Sequence, residues 1–127
     1  MAKKEFMYCG KTLDELQKIS IEEFAKYVDS RKRRTLLRGN TDEQKRFFAK
    51  LNKKKDNIKT HCRDIVIVPL MVGKTIFVHK GKEYQQLLIQ PEMIGHCLGE
   101  FAFTRKRILH SSPGVGATKS SSNVSVK

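Results

Sequence analysis

The stretch from His61 to Arg107 is the part of the chain whose pattern closes a hydrophobic core while keeping cations at its edge, and it limits what the rest can be. Ile65-Val66-Ile67-Val68 is a β-branched run that stops at Pro69, and Thr75-Ile76-Phe77-Val78 follows the breaker Gly73, so two buried or half-buried strands are expected. His79-Lys80-Gly81-Lys82 supplies a turn with a glycine free to take positive φ, and Tyr84 to Ile89 reads as a third strand. Pro91 sits where a helix starts well, because its missing N–H would be unpaired in the first turn anyway. Met93, Ile94, Cys97 and Leu98 then fall at helical spacing before Gly99. The expected fold class is α+β: a small three-stranded antiparallel sheet with a covering helix, leaving through the basic triplet Arg105-Lys106-Arg107. Phe77 and Phe101 are assigned to the core, Tyr84 and Phe103 to the surface.

Three organisational units are expected: a basic helical region over 1–60, the α+β core over 61–110 and an extended Ser/Gly-rich tail over 111–127. Thr12 to Glu15, Ser20 to Glu23 and Thr41 to Gln44 each fit a capping box, so short helices should begin there. Ile21, Phe24, Ala25 and Val28 make one apolar face, and Phe47, Phe48 and Leu51 make another. Ser30 to Arg38 reads as one or two helical turns capped by Ser30 and closed by Gly39. The tail carries little apolar content and is expected to lack packed structure. No internal repeat is expected.

Lys and Arg number 26 against 13 Asp and Glu, a formal net charge of +13. Self-repulsion on that scale has no folding benefit, so a polyanionic partner, nucleic acid first, is the economical explanation. No apolar run approaches a membrane span, and the start MAKKEF lacks an apolar signal region, which favours a cytoplasmic chain without a membrane partner. Cys9, Cys62 and Cys97 are widely spaced and form no CxxC pair, so neither a disulfide framework nor a zinc site is expected, and Cys62 and Cys97 read as small hydrophobes. Gly73-Lys74-Thr75 and Gly10-Lys11-Thr12 end like a phosphate-binding loop, but the first glycine of that motif is missing from both. The carboxylates Asp64, Glu83, Glu92 and Glu100 show no spacing suited to paired acid/base chemistry. The expectation is a binding protein with no cofactor, no metal and no catalytic residue.

Several longer motifs carry a resemblance. Lys59-Thr60-His61-Cys62-Arg63-Asp64-Ile65-Val66-Ile67, Met71-Val72-Gly73, His79-Lys80-Gly81-Lys82 and Pro91-Glu92-Met93-Ile94-Gly95-His96 leading to Leu98-Gly99-Glu100-Phe101 closely resemble the universal small-subunit ribosomal protein nineteen family. Ser30-Arg31-Lys32-Arg33-Arg34 to Arg38-Gly39, and His110-Ser111-Ser112-Pro113-Gly114-Val115-Gly116-Ala117-Thr118, are similar to its archaeal and eukaryotic branch, called protein fifteen in eukaryotes. The resemblance implies a structural constituent of the ribosome that binds small-subunit rRNA in the head, near the decoding site and the inter-subunit face. It implies small-subunit ribosomal protein thirteen as a neighbour, with tRNA and mRNA near Pro113 to Lys119. His61, Arg63, His79, Lys80, Lys82 and Thr104, Arg105, Lys106 and Arg107 match positions where the family meets rRNA. One departure is the end, Asn123-Val124-Ser125-Val126-Lys127, where the branch usually has an aromatic residue and a proline-containing stub.

Adding the charge runs, the expected RNA contacts are also Arg31, Lys32, Arg33, Arg34, Arg38, Lys53, Lys54, Lys55, Lys59, Lys74, His110 and Lys119. Two other readings compete. A free-standing basic nucleic-acid regulator would have to use Arg31 to Arg38 as its recognition helix, which is short and too uniformly basic to read base edges. A protein adaptor would have to present Ile21, Phe24 and Val28.

Overall fold

The structure is a computed structural model that describes residues 5–53, 57–109, 111 and 113–122. Its first half is a run of short elements, each started by local capping chemistry. A two-stranded ribbon, β1 (Met7–Tyr8) and β2 (Lys11–Thr12), turns through Cys9 and Gly10, both at positive φ. Helix α1 (Leu13–Lys18) follows, with the Glu15 carboxylate accepting from the Thr12 N–H at 3.0 Å. Helix α2 (Ile21–Ala25) is capped by Ser20, whose hydroxyl accepts from the Glu23 N–H at 3.3 Å. Helix α3 (Ser30–Arg38) has Asp29, one residue before the expected cap, at its N-terminus, and Gly39 at φ 90° closes it. Helix α4 (Asp42–Asn52) carries a reciprocal cap, with the Gln44 side chain accepting from the Thr41 N–H at 3.0 Å. Gln44 is itself buried, and its Nε2 donates to Asp64 at 3.0 Å, which fastens α4 to the following stretch.

The sheet differs from expectation in membership and direction. Its strands are β3 (Ile58–Thr60), β4 (Thr75–His79) and β5 (Tyr84–Leu88), in the order β3-β4-β5. The hairpin β4–β5 is antiparallel as expected, with Thr75 opposite Leu88 and His79 opposite Tyr84, and Gly81 in its turn at φ 106°. The β3–β4 pair is parallel, which requires a long crossover, and residues 61–74 supply it. That crossover contains Ile65 to Val68, which is not a strand of the sheet. All four residues are buried, so the run lies covered on both sides instead of showing the one-sided alternation of a half-buried strand. It bonds to the segment after β5: Ile67 N–H donates to His96 O at 2.7 Å and Leu98 N–H to Ile65 O at 3.0 Å.

The covering helix is absent, and two 3₁₀ turns stand in its place, Pro91–Met93 and Leu98–Phe101. Gly95, at φ 82°, interrupts any continuous helix between them. The first of these turns copies an earlier one at Pro69–Met71, which Gly73 follows at φ 80°. The two segments, Ile67-Val68-Pro69-Leu70-Met71-Val72-Gly73 and Ile89-Gln90-Pro91-Glu92-Met93-Ile94-Gly95, form an internal repeat that sequence reading missed. They clasp reciprocally: Gly73 N–H donates to Ile89 O at 2.9 Å, and Gly95 N–H to Ile67 O at 3.1 Å.

One core unites these parts. Leu16, Phe24, Val28, Phe47 and Leu51 from the helical region pack with Ile58, Ile67, Met71, Ile76, Val78, Ile89, Ile94 and Leu98. Along β4 the period of two buries Ile76 and Val78, and it leaves Phe77 half-buried on the other face, so Phe77 is not a core residue as expected. Phe101 packs against the core, while Phe103 is 77% exposed. Ile21 is exposed while Phe24 and Val28 are buried, which dismantles the apolar face an adaptor would use. Beyond Ala102 the chain is exposed through Leu109, and Lys119–Ser122 form a single turn, α5, where no regular structure was expected. Among the described residues no helix is long and apolar enough to cross a membrane.

Candidate nucleic-acid interface

The cations expected to meet RNA divide into those whose charged ends are engaged by carbonyls or carboxylates of the fold and those whose ends are not. Arg63 is held most firmly: Nη1 donates to His79 O at 2.7 Å, and Nη2 to Gly99 O at 2.9 Å and Ala102 O at 2.5 Å. Its planar fork thereby joins the end of β4 to the 3₁₀ turn from which the basic exit segment leaves. Gly99 is required beneath it, because a Cβ there would lie 3.0 Å from both Arg63 Cβ and Arg63 O. Arg33 caps the end of α2 in the same manner, donating to Ala25 O, Lys26 O and Val28 O at 3.1–3.2 Å. Lys74 donates to Leu51 O at 2.8 Å, and Lys32 pairs with Asp29 at 3.4 Å and Glu100 at 3.8 Å. Lys80 lies 2.9 Å from Glu83, and Lys106 lies 3.4 Å from the same carboxylate. Hydrogen bonds from Lys80 and Lys106 hold the Glu83 carboxyl below the usual carboxylate range.

The remaining cations are exposed, and they fall into three groups. Arg31, Arg34 and Arg38 recur at i, i+3 and i+7 on α3 and line a shallow cleft of about 520 Å³ with Ser30 and Thr35. Along the exit segment Arg105 and Arg107 are exposed beside Thr104, with Lys82 across a smaller cleft that Phe103 also lines. The third group surrounds the start of the core stretch. Lys59 is exposed on β3 between buried Ile58 and Thr60, with its Nζ 5.4 Å from the centre of the Tyr84 ring. Lys53 lies exposed just past α4, and Lys119 is exposed at the start of α5. Lys54, Lys55 and His110 lie outside the described residues.

His61 and His79 are brought together in a way their separation in the chain did not suggest. Their rings stack at 4.2 Å, and Tyr84 meets both edge-on at 5.5 and 5.1 Å. Tyr84 Oη lies 2.7 Å from His61 Nε2, and His79 Nδ1 accepts from the Gly81 N–H at 3.3 Å. The three rings make a fixed aromatic platform at the edge of the hairpin.

Two cations beside this platform were missed from sequence. Arg46 and Lys50, one turn apart on α4, line a cleft of about 440 Å³ with Glu43, Phe47, Lys59, Thr60, His61 and Cys62. The i, i+4 spacing of Arg46 and Lys50 was visible, but nothing local showed that β3 would return alongside them. Cys62 is half-buried there, with its thiol pushed up by burial and 3.5 Å from Glu43 Oε2. A thiol so placed is a weak nucleophile.

The family model described as Ribosomal protein S19 matches residues 26–110. A curated relative, Small ribosomal subunit protein uS19 of Thermoplasma acidophilum, is 51% identical over 124 residues, covering 98% of this chain and 82% of the relative. The match takes in the crossover, the hairpin and both copies of the proline–methionine–glycine turn, and it agrees with the motifs read from the sequence: the chain belongs to the ribosomal protein S19 family, in its archaeal and eukaryotic branch.

Proposed function

We propose that this chain is a structural component of the small ribosomal subunit that holds rRNA of the head near the decoding site and the inter-subunit face. The relative's printed name supports the subunit. The observation that carries the RNA reading is the segregation of charge: Arg33, Arg63 and Lys74 are consumed by backbone carbonyls, while Arg31, Arg34, Arg38, Lys59, Lys82, Arg105 and Arg107 are exposed with no carboxylate partner among the described residues. Exposed cations on a small rigid scaffold neutralise phosphates and release counterions, and Arg adds two-pronged geometry toward each phosphate. Helical RNA offers its backbone and 2′-hydroxyls instead of base edges, so such a surface reads shape. Small-subunit ribosomal protein thirteen is the neighbour this reading names, and Pro113 to Lys119 extend toward tRNA and mRNA. The working location is the cytoplasmic ribosome.

The test is the affinity of the full chain for head rRNA as salt is raised, where log affinity should fall linearly with log salt concentration. Arg105→Ala, Lys106→Ala and Arg107→Ala combined should weaken binding and leave the melting temperature unchanged, since all three side chains are exposed. A salt-independent affinity, or a collapsed fold in the triple variant, would refute the phosphate reading. Retention on small subunits through moderate-salt washing separates a resident protein from a free-standing regulator.

A further inference from the structure

We propose that the cleft between α4 and β3 seats an unpaired nucleotide of RNA, with flanking phosphates on Arg46, Lys50 and Lys59 and the base against His61. The proposal rests on the RNA-binding reading above and adds to it a place and a strand class.

Three features of the cleft point the same way. Arg46 and Lys50 stand on α4 and Lys59 on β3, so three cations converge on one concavity against the single carboxylate of Glu43. None of the three has an ion-pair partner among the described residues, and their mutual repulsion is relieved by an anion between them. The second feature is the wall. His61 is exposed, yet its ring is fixed by stacking on His79 and by the 2.7 Å bond to Tyr84 Oη, so a base docks on it with little loss of side-chain freedom. The third is the floor, where Phe47 is only 4% exposed and presents an apolar surface beneath the rim of charge.

The contrast with α3 selects the strand class. The α3 cleft holds Arg31, Arg34 and Arg38 but no ring, which suits the backbone of a duplex. An A-form helix keeps its bases stacked inside, so an aromatic wall in a concavity has nothing to meet there. An unpaired strand can splay a base onto His61 while its phosphates stay on the rim.

The experiment titrates the full chain against a labelled single-stranded RNA and a duplex of the same length, over a range of salt concentrations. Arg46→Gln with Lys50→Gln should make the single-strand salt slope shallower by about 0.7 per lost cation and leave the duplex slope unchanged. His61→Ala should lower single-strand affinity roughly tenfold, and His61→Phe, which keeps a ring, should restore it. Arg31→Gln, Arg34→Gln and Arg38→Gln combined should act mainly on the duplex. The proposal is overturned if the cleft variants change duplex and single strand equally or change neither, or if polyglutamate competes for the cleft as well as RNA does. A wild-type chain that binds head rRNA without salt dependence removes the underlying reading instead, so the two failures are told apart.

Discussion

Gly73 and Gly95 occupy the same position in two copies of one turn, at φ 80° and 82°, so alanine at each separates backbone strain from crowding. A Cβ on Gly73 meets nothing within 4 Å. Its cost is the left-handed penalty of about 1–2 kcal/mol, offset in part by the lower entropy of the unfolded alanine chain, which leaves about 1 kcal/mol. A Cβ on Gly95 falls 2.7 Å from Tyr8 Oη and 3.6 Å from Val28 Cγ1. The Tyr8 ring is not free to swing aside: it packs 6.3 Å from Phe24, and its hydroxyl donates to Tyr27 O at 3.3 Å. Crowding of this kind adds about 1–3 kcal/mol. At about 3–5 °C per kcal/mol for a chain of this size, Gly95→Ala should melt about 3–15 °C below Gly73→Ala. Tyr8→Phe in the Gly95→Ala background removes the 2.7 Å contact and leaves Cζ at 3.4 Å, so it should recover most of the difference. Thermal melts followed by circular dichroism read all four proteins. Equal melting of the two alanine variants, or no recovery with Tyr8→Phe, would refute the claim that the N-terminal ribbon is braced against the second turn.

Arg63→Ala should lower stability by about 3 kcal/mol, below the roughly 4.5 kcal/mol minimum for three fully buried charge-assisted bonds because the fork is partly exposed, and Arg63→Lys should recover little of it because one ammonium cannot span three carbonyls. If both variants melt like the wild type while rRNA affinity falls, Arg63 belongs to the interface after all. Glu100 provides a pH readout: burial pushes its carboxyl up, but the Cys97 N–H, His96 and Lys32 outweigh that and hold it below its ordinary 4.5. A carboxyl lowered in the folded state contributes stability that is present in full above its unfolded value and lost as pH falls through the folded one. The melting gap between wild type and Glu100→Gln should therefore be widest at neutral pH and close below pH 4.5, and a gap that widens on acidification would reverse the assignment.

What the sequence made legible was local chemistry. Thr12, Ser20 and Thr41 begin helices because a hydroxyl or a carboxylate three residues away satisfies free N–H groups, and that arithmetic needs no knowledge of the fold. The hairpin turn at Gly81 and the helix end at Gly39 were legible for a similar reason, since each needs positive φ. Partner choice was not legible. Ile65 to Val68 and Ile58 to Thr60 both suit a strand, and the choice between them is made by which edge of β4 the crossover returns to, a matter of packing across the whole core. The same limit governs the interface. Arg33 and Arg34 are neighbours in one basic run, yet the first ends on three carbonyls at and just past the end of α2 and the second faces solvent, because helical rotation places only one of them over that end. Charge counting therefore finds that a surface is cationic but overstates how many cations it offers. Arg46 and Lys50 show the converse: in sequence they lie outside the basic triplets, and they become a candidate site only when β3 places Lys59 and His61 across from them. The fold thus sorts the cations twice, engaging some donors with backbone carbonyls and converging others on shared clefts, and on the RNA reading proposed above it is the second group that would meet phosphates.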